Sequence, residues 1–291
     1  MTQMTLCDAA LSVLNTSGAS EKANLTRDLI KQWRDGAIEK IGLSTNTPTR
    51  PARPENPELR EPTNMPKRGK AGSLKSKKAL LHALAHIELN AIDLAWDIMA
   101  RFSYLSEENV TEGFSLPRAF FDDWCKVADD EAKHFLMLNS RMNDFGMAYG
   151  DLPAHDGLWE SAERTAEDFA ARLAVVPMVL EARGLDVTPN MISAMKNFED
   201  FESANILQII HDDEITHVKA GTVWFESWCA YNKLDIETTF QDLVQTYFYK
   251  TLKPPFNHPS RFKGGMLRHW YEPLAEEEPR NALKKSVKTE D

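Results

Sequence analysis

Residues 129–134 read DDEAKH, and residues 212–217 read DDEITH. Each holds a Glu-x-x-His pair, and the 291-residue chain has no other. With 8 His in the chain, chance alone supplies about one such pair, so the weight falls on the repeated Asp-Asp-Glu-x-x-His frame. On a helix, residues three apart are neighbours. Each motif therefore aims a carboxylate oxygen and an imidazole nitrogen at one point.

Outward from these motifs, the sequence keeps a helical period. Trp124, Val127, Glu131, His134 and Leu138 share one face, as do Leu207, Ile210, Glu214, His217, Gly221 and Trp224. Two further stripes read Leu81, Leu84, Glu88, Ala91, Ala95, Met99 and Ala170, Ala174, Pro177, Glu181. Every apolar stripe is thus interrupted by a carboxylate. Burying a carboxylate costs several kcal/mol unless it is paired, protonated or bound to a cation. Four ionised carboxylates in one core would repel one another, and two multivalent cations would neutralise them. The candidate ligands are Glu88, Glu131, His134, Glu181, Glu214 and His217, in the order Glu, Glu-x-x-His, Glu, Glu-x-x-His. The plainer alternative, acids and histidines on solvated faces, conflicts with their places in apolar stripes.

The aspartates have their own reading. One position before a ligand, a side chain points about 100° away on its helix, toward a neighbour. A metal-bound His commonly gives its other N–H to a carboxylate. Asp213 is therefore expected to support His134, and Asp130 to support His217. His211, one turn before Glu214, is expected to border the site. His82 and His86 project away from Glu88 and read as polar surface or helix contact rather than a second metal site. Pro177 should kink its helix.

Periodicity and punctuation organise the rest. Short amphipathic helices are expected at 5–15 and 21–35. Longer ones are expected at about 76–104, from Pro117 to about 143, and at about 157–183, ending at Gly184 as a C′ glycine. A fourth should open at Thr188-Pro189 and run to about 231, with a break near Asp200–Ser203. A shorter helix follows at 238–250. PPFNHPSRFKGG then reads as loop, and the tail after Glu276 as disordered. Residues 43–75 carry Pro every few positions and hardly an apolar side chain, so they form an extended strap. The domains read as 1–42 (helical), 43–75 (strap), 76–250 (bundle with one added helix) and 251–291 (C-terminal loop and tail). With no strand signal, the fold class is all-α, a four-helix bundle with N- and C-terminal extensions.

Composition excludes other classes. The 3 Cys are far apart with no Cys-x-x-Cys pair, which argues against a disulfide framework, zinc ribbon or iron–sulfur cluster. No long apolar run and no secretory pattern appear, so the expected compartment is the cytoplasm. The net charge is −10, yet residues 44–80 hold nine Lys and Arg against three Glu. That local excess reads as a solvated strap, with contact to RNA as the less favoured alternative.

The pattern over residues 78–230 resembles the ferritin-like di-iron carboxylate superfamily. HIELNAIDLAWD at 86–97, EARGLDVTP at 181–189 and PPFN at 254–257 more closely resemble an uncharacterised bacterial branch of it, similar in style to the tRNA-isopentenyladenosine hydroxylases. The resemblance implies that Glu131 and Glu214 bridge two metals, with Glu88 and His134 completing one and Glu181 and His217 the other. The chain departs from rubrerythrin in lacking rubredoxin-type cysteines. It is also longer than a ferritin subunit, and Glu88 stands where ribonucleotide reductase small subunits usually have Asp. The implied function is a di-metal oxidoreductase holding two iron ions, or Mn/Fe or Mn/Mn. It would use O₂ to oxidise or hydroxylate an unidentified substrate, with an external electron donor; tRNA is a partner supported only by the strap. Iron handling without an organic substrate, and a metal-stabilised binding or scaffold protein, are the alternatives.

Overall fold

The computed structural model describes residues 3–61, 64–66 and 70–275. In chain order its helices are α1 (Leu6–Leu14), α2 (Ala19–Arg34), α3 (Leu74–Arg101), α4 (Arg118–Asp144), α5 (Gly157–Arg164), α6 (Phe169–Val175), α7 (Ala182–Asn197), α8 (Phe201–Asn232), α9 (Ile236–Tyr247), α10 (His258–Lys263) and α11 (Arg268–Tyr271). The described residues form no β-strand, only isolated bridges such as Leu59 with Ala154. The fold is an all-α bundle.

Its frame is α3, α4, α8 and the run from α6 to α7. The apolar stripes meet in one continuous core that includes Leu81, Ala95, Trp124, Leu138, Ala174 and Phe225. Such burial contributes roughly 1.5–3 kcal/mol for each large aliphatic or aromatic side chain. Local chemistry starts the helices: Thr5 and Asp8 form a reciprocal capping box on α1, and Ser73 caps α3. Asp200 caps α8, and Asp235 caps α9.

The N-terminal helices lie against α3 and α4. Lys22 reaches Asp93 on α3 at 2.5 Å, both fully buried, and Trp96 Nε1 donates to Thr26. The strap lies along α3 and α5 and is bound down by its own arginines. Arg53 sits 3.1 Å from Asp93 and donates to Asn90, and Arg50 pairs with Asp156 and Glu163. At the other end, buried Arg261 on α10 clasps Asp186 on α7 with two hydrogen bonds of 2.9 and 2.7 Å.

Four expectations need correction. The helix expected at 157–183 is two pieces, α5 and α6, and the second runs through a π-helical turn (Val176–Glu181) straight into α7. Gly184 therefore ends nothing, and Thr188-Pro189 starts nothing: both lie inside α7. The actual break is at Phe198–Asp200, where Glu199 takes φ 56°, close to the break expected near Asp200. Pro189 survives mid-helix because the carbonyl it cannot serve, that of Leu185, accepts a hydrogen bond from Asn257 Nδ2 at 3.1 Å. The PPFNHPSRFKGG stretch is not all loop, since it contains α10. The tail after Glu276 and strap residues Lys67 and Arg68 lie outside the described residues.

Candidate metal centre

Each long helix delivers one acid to the same interior point. Glu88 comes from α3, Glu131 and His134 from α4, Glu181 from the π-helical turn, and Glu214 and His217 from α8. Ligand atoms of Glu88, Glu131, His134 and Glu214 lie within 4.8 Å of one another, and so do those of Glu181, Glu214 and His217. Glu214 belongs to both groups. Glu131 reaches toward the second as well, with Oε1 3.0 Å from His217 Nδ1.

The π-helical turn decides where Glu181 points. Its wider winding advances the chain one residue relative to an α-helix, and it carries Pro177. The expected kink is thus a local change of winding. Gly221 on α8 makes the close approach possible, because a Cβ there would stand 2.5 Å from Pro177 Cγ.

Electrostatics set this cluster apart from a structural core. Both oxygens of Glu131, one each of Glu181 and Glu214, and Nδ1 of His217 are buried without a well-aligned hydrogen bond among the described residues, although His217 Nδ1 stands 3.0 Å from Glu131 Oε1. Native interiors seldom leave such groups unpaired, so several in one place mark a site built for something else. Burial pushes the Glu88 and Glu181 carboxyls well above the usual range, with the neighbouring charges of Glu131 and Glu214 adding to it. Burial and Glu131 also raise Glu214. Burial opposes the charge on Glu131 too, but the facing imidazoles of His134 and His217 outweigh it and hold that carboxyl low. Burial would likewise lower both imidazoles, yet the surrounding carboxylates carry them well above the ordinary histidine range.

The outer faces of the two imidazoles are crossed. His134 Nε2 lies 3.0 Å from Asp213 on α8, and His217 Nε2 lies 3.3 Å from Asp130 on α4. Nδ1 of each ring is left facing the carboxylates. Lys133, which sequence reasoning missed, joins the two aspartates: its Nζ is 2.6 Å from Asp213 and 3.0 Å from Asp130. Only its place between the motif's Glu and His could have drawn attention to it.

Other candidates lie elsewhere. His211 approaches Asp212 and Ser260 of α10 rather than any of the six acids and histidines. His82 and His86 are buried, not on the surface. His82 accepts from the Gly150 amide, and His86 binds the Tyr149 hydroxyl and the His155 carbonyl, so the pair anchors the 147–155 loop.

A cleft of about 430 Å³ leads from the surface to the carboxylates. One wall is α3, with Leu84, Ile87 and Ala91; the other is the π-helical turn and α7, with Leu180, Gly184 and Val187. Glu88, Glu131, Glu181 and Glu214 also line it. Sequence reasoning did not find this cleft, because its walls are distant in the chain.

Among the described residues, no helix is long and apolar enough to cross a membrane. The chain is 38% identical over 263 residues to an uncharacterized protein of Haemophilus influenzae, covering 89% of each. No solved structure gives a significant match. A family model described as "Protein of unknown function (DUF455)" matches residues 15–272, and the helical chain with its buried Glu and His cluster belongs to that family.

Proposed function

We propose that this protein is an oxidoreductase of the ferritin-like type, with a centre of two metal ions, iron in the first instance, that uses O₂ to oxidise an organic substrate. The observation that carries the reading is the set of buried, unpartnered carboxylate oxygens beside two imidazole Nδ1 atoms. An all-carboxylate and imidazole donor set fits iron or manganese and offers no thiolate. Glu131 and Glu214 would be shared by both ions, Glu88 and His134 would complete one, and Glu181 and His217 the other. Bound there, the metals would supply the redox chemistry and open positions for O₂.

The chain's own contributions follow from its contacts. Asp213 and Asp130 hold the proton on Nε2 of each imidazole, which keeps Nδ1 free to ligate. Lys133 balances the charge of the two aspartates. The apolar cleft excludes bulk water and orients a substrate against the centre. That cleft favours an organic substrate over iron handling, for which an apolar approach has no use.

Elemental analysis of the wild type and of a Glu131→Ala, Glu214→Ala variant tests the reading. About two Fe or Mn per wild-type chain, lost in the variant, is the expected result. Oxygen uptake by the Fe(II)-loaded wild type should follow. Absence of metal from both after anaerobic loading would overturn it.

A further inference from the structure

The cleft has a rim whose charge the metal centre does not use. Apart from the four acids at its floor, the lining is almost wholly apolar, and among the described residues Arg183 is its one cationic side chain. Arg183 is anchored but not neutralised. Its Nη1 donates to the Lys253 carbonyl at 2.7 Å and stands 3.6 Å from Asp186, whose oxygens are already taken up by Arg261. Its side chain remains 40% exposed. A second hollow of about 180 Å³ adjoins the cleft at Leu180 and Arg183 and adds Lys250 and Lys253. Neither lysine has a carboxylate within 4.0 Å among the described residues. On a chain of net charge −10, Arg183 at the cleft and the two lysines of the adjoining hollow, which also holds the Arg261–Asp186 pair, give this part of the rim a local positive excess.

Inside the rim, Gly184 leaves room. It lies in the first turn of α7, three residues after Glu181, and a Cβ built there meets no atom within 4 Å. The volume falls within the range of sites that enclose small molecules, roughly 300–1,000 Å³.

We propose that this cleft binds a small amphiphile, with a hydrocarbon portion lying between α3 and α7 over the carboxylates and an anionic end group held at the rim by Arg183, flanked by Lys250 and Lys253. The inference names the substrate class of the proposed oxidase and, as a statement about substrate, rests on that reading. Apolar burial supplies the affinity for the chain, and a guanidinium with free donors supplies the preference for a carboxylate or phosphate end. The orientation follows: the anion stays at the cationic rim, outside the acid-lined floor where burial disfavours negative charge, and C–H bonds face the centre.

Titration calorimetry on the full chain, metal-loaded and metal-stripped, tests this with decanoate, decyl phosphate and decyltrimethylammonium. Both anions should bind at least about tenfold more tightly than the cation. Arg183→Glu should remove that preference, and Gly184→Phe, whose side chain enters open space, should abolish binding while the unfolding midpoint is kept. Decanoate stronger than decyl phosphate would assign a carboxylate as the end group, and the reverse order a phosphate. Equal binding of the cation, or full binding by Gly184→Phe, would overturn the inference. Lys75 and Lys78 line a neighbouring cavity that shares Ile87 with the cleft, and a loss produced by Lys75→Glu with Lys78→Glu instead of Arg183→Glu would also overturn the inference by moving the anion there. Stripped protein that binds decanoate but cannot be loaded with metal would defeat the oxidase reading and leave the binding site standing. Loaded protein that consumes O₂ but binds none of the three would defeat the cleft inference alone.

Discussion

Asp213 Oδ2 stands 3.0 Å from Nε2 of His134, on the neighbouring helix and 79 positions away in the chain. Asp130 reciprocates toward His217, so the two Asp-Asp-Glu-x-x-His motifs interlock, each orienting the other's imidazole. We expect Asp213→Asn and Asp130→Asn each to weaken Fe(II) or Mn(II) binding by about 10- to 100-fold, as measured by chelator competition. Lys133→Met should have a smaller effect, since Lys133 touches the aspartates and neither ring. Undiminished affinity in both Asn variants would remove the orienting role.

Glu181 offers a test of what the acids cost. With no metal, one oxygen of this buried acid has no partner and burial disfavours its ionised form, so Glu181→Gln should leave the melting temperature of chelator-treated protein unchanged or raise it by several degrees. In metal-loaded protein the same substitution should lower it, because a ligand is lost. A drop of equal size in both states would mark Glu181 as an ordinary structural residue.

Two glycines facing different surroundings should respond in opposite senses to alanine. At Gly221 a Cβ would stand 2.5 and 2.6 Å from the ring carbons of Pro177, so Gly221→Ala should destabilise by about 1–3 kcal/mol in urea unfolding. At Gly184 the methyl meets open space, and Gly184→Ala should stabilise by about 0.5–1 kcal/mol. Equal responses would show that the Pro177 turn yields to the added methyl.

Asn257 serves two helices at once. Its Nδ2 satisfies the Leu185 carbonyl opposite Pro189, and its Oδ1 accepts from the Ser260 amide to cap α10. Asn257→Ala should cost about 1–3 kcal/mol. If Pro189→Ala is already present, the loss at Asn257 should shrink, because the Leu185 carbonyl regains a backbone donor. A double-mutant cycle measures that coupling.

Asp200 sets part of the acid limit. Burial opposes its charge, but Lys77, Arg141 and the Ser203 amide outweigh burial and hold its carboxyl below the ordinary value of 3.8. A carboxyl depressed in the folded state contributes stability that is complete well above pH 3.8 and is lost as the pH falls from there through the folded-state value. Asp200→Asn should therefore lower stability at pH 7 and flatten its slope in that acid window, as read from urea midpoints. An unchanged slope would place the acid sensitivity elsewhere.

Much of the framework was legible because it is periodic. Glu131 with His134 and Glu214 with His217 are one turn apart, and local geometry alone puts each pair on one face. Glu88 and Glu181 stood out as acids in apolar stripes, a misfit that needs no partner to be noticed. The crossed aspartates could be anticipated from a rotation of about 100° per residue.

Gly184 and Pro189 misled for an equally physical reason. Each is a helix boundary signal by local preference, and each is overruled from outside its helix. Gly184 lines a cleft rather than ending the helix expected at 157–183, and Asn257, far along the chain, gives the Leu185 carbonyl the hydrogen bond that Pro189 cannot. His82 and His86 read as surface or helix contact because their actual partner is a loop with no period of its own.

That the chain is helical, which stripes face inward and which acids break them all follow from neighbours three and four residues apart, and so from local order along the chain. Tertiary structure alone decided the rest. The separation of α3 from α7, the winding that aims Glu181, the clasp of Lys133 on both aspartates and the cations around Arg183 all arise between segments distant in the chain. Packing, not local periodicity, fixes their distances.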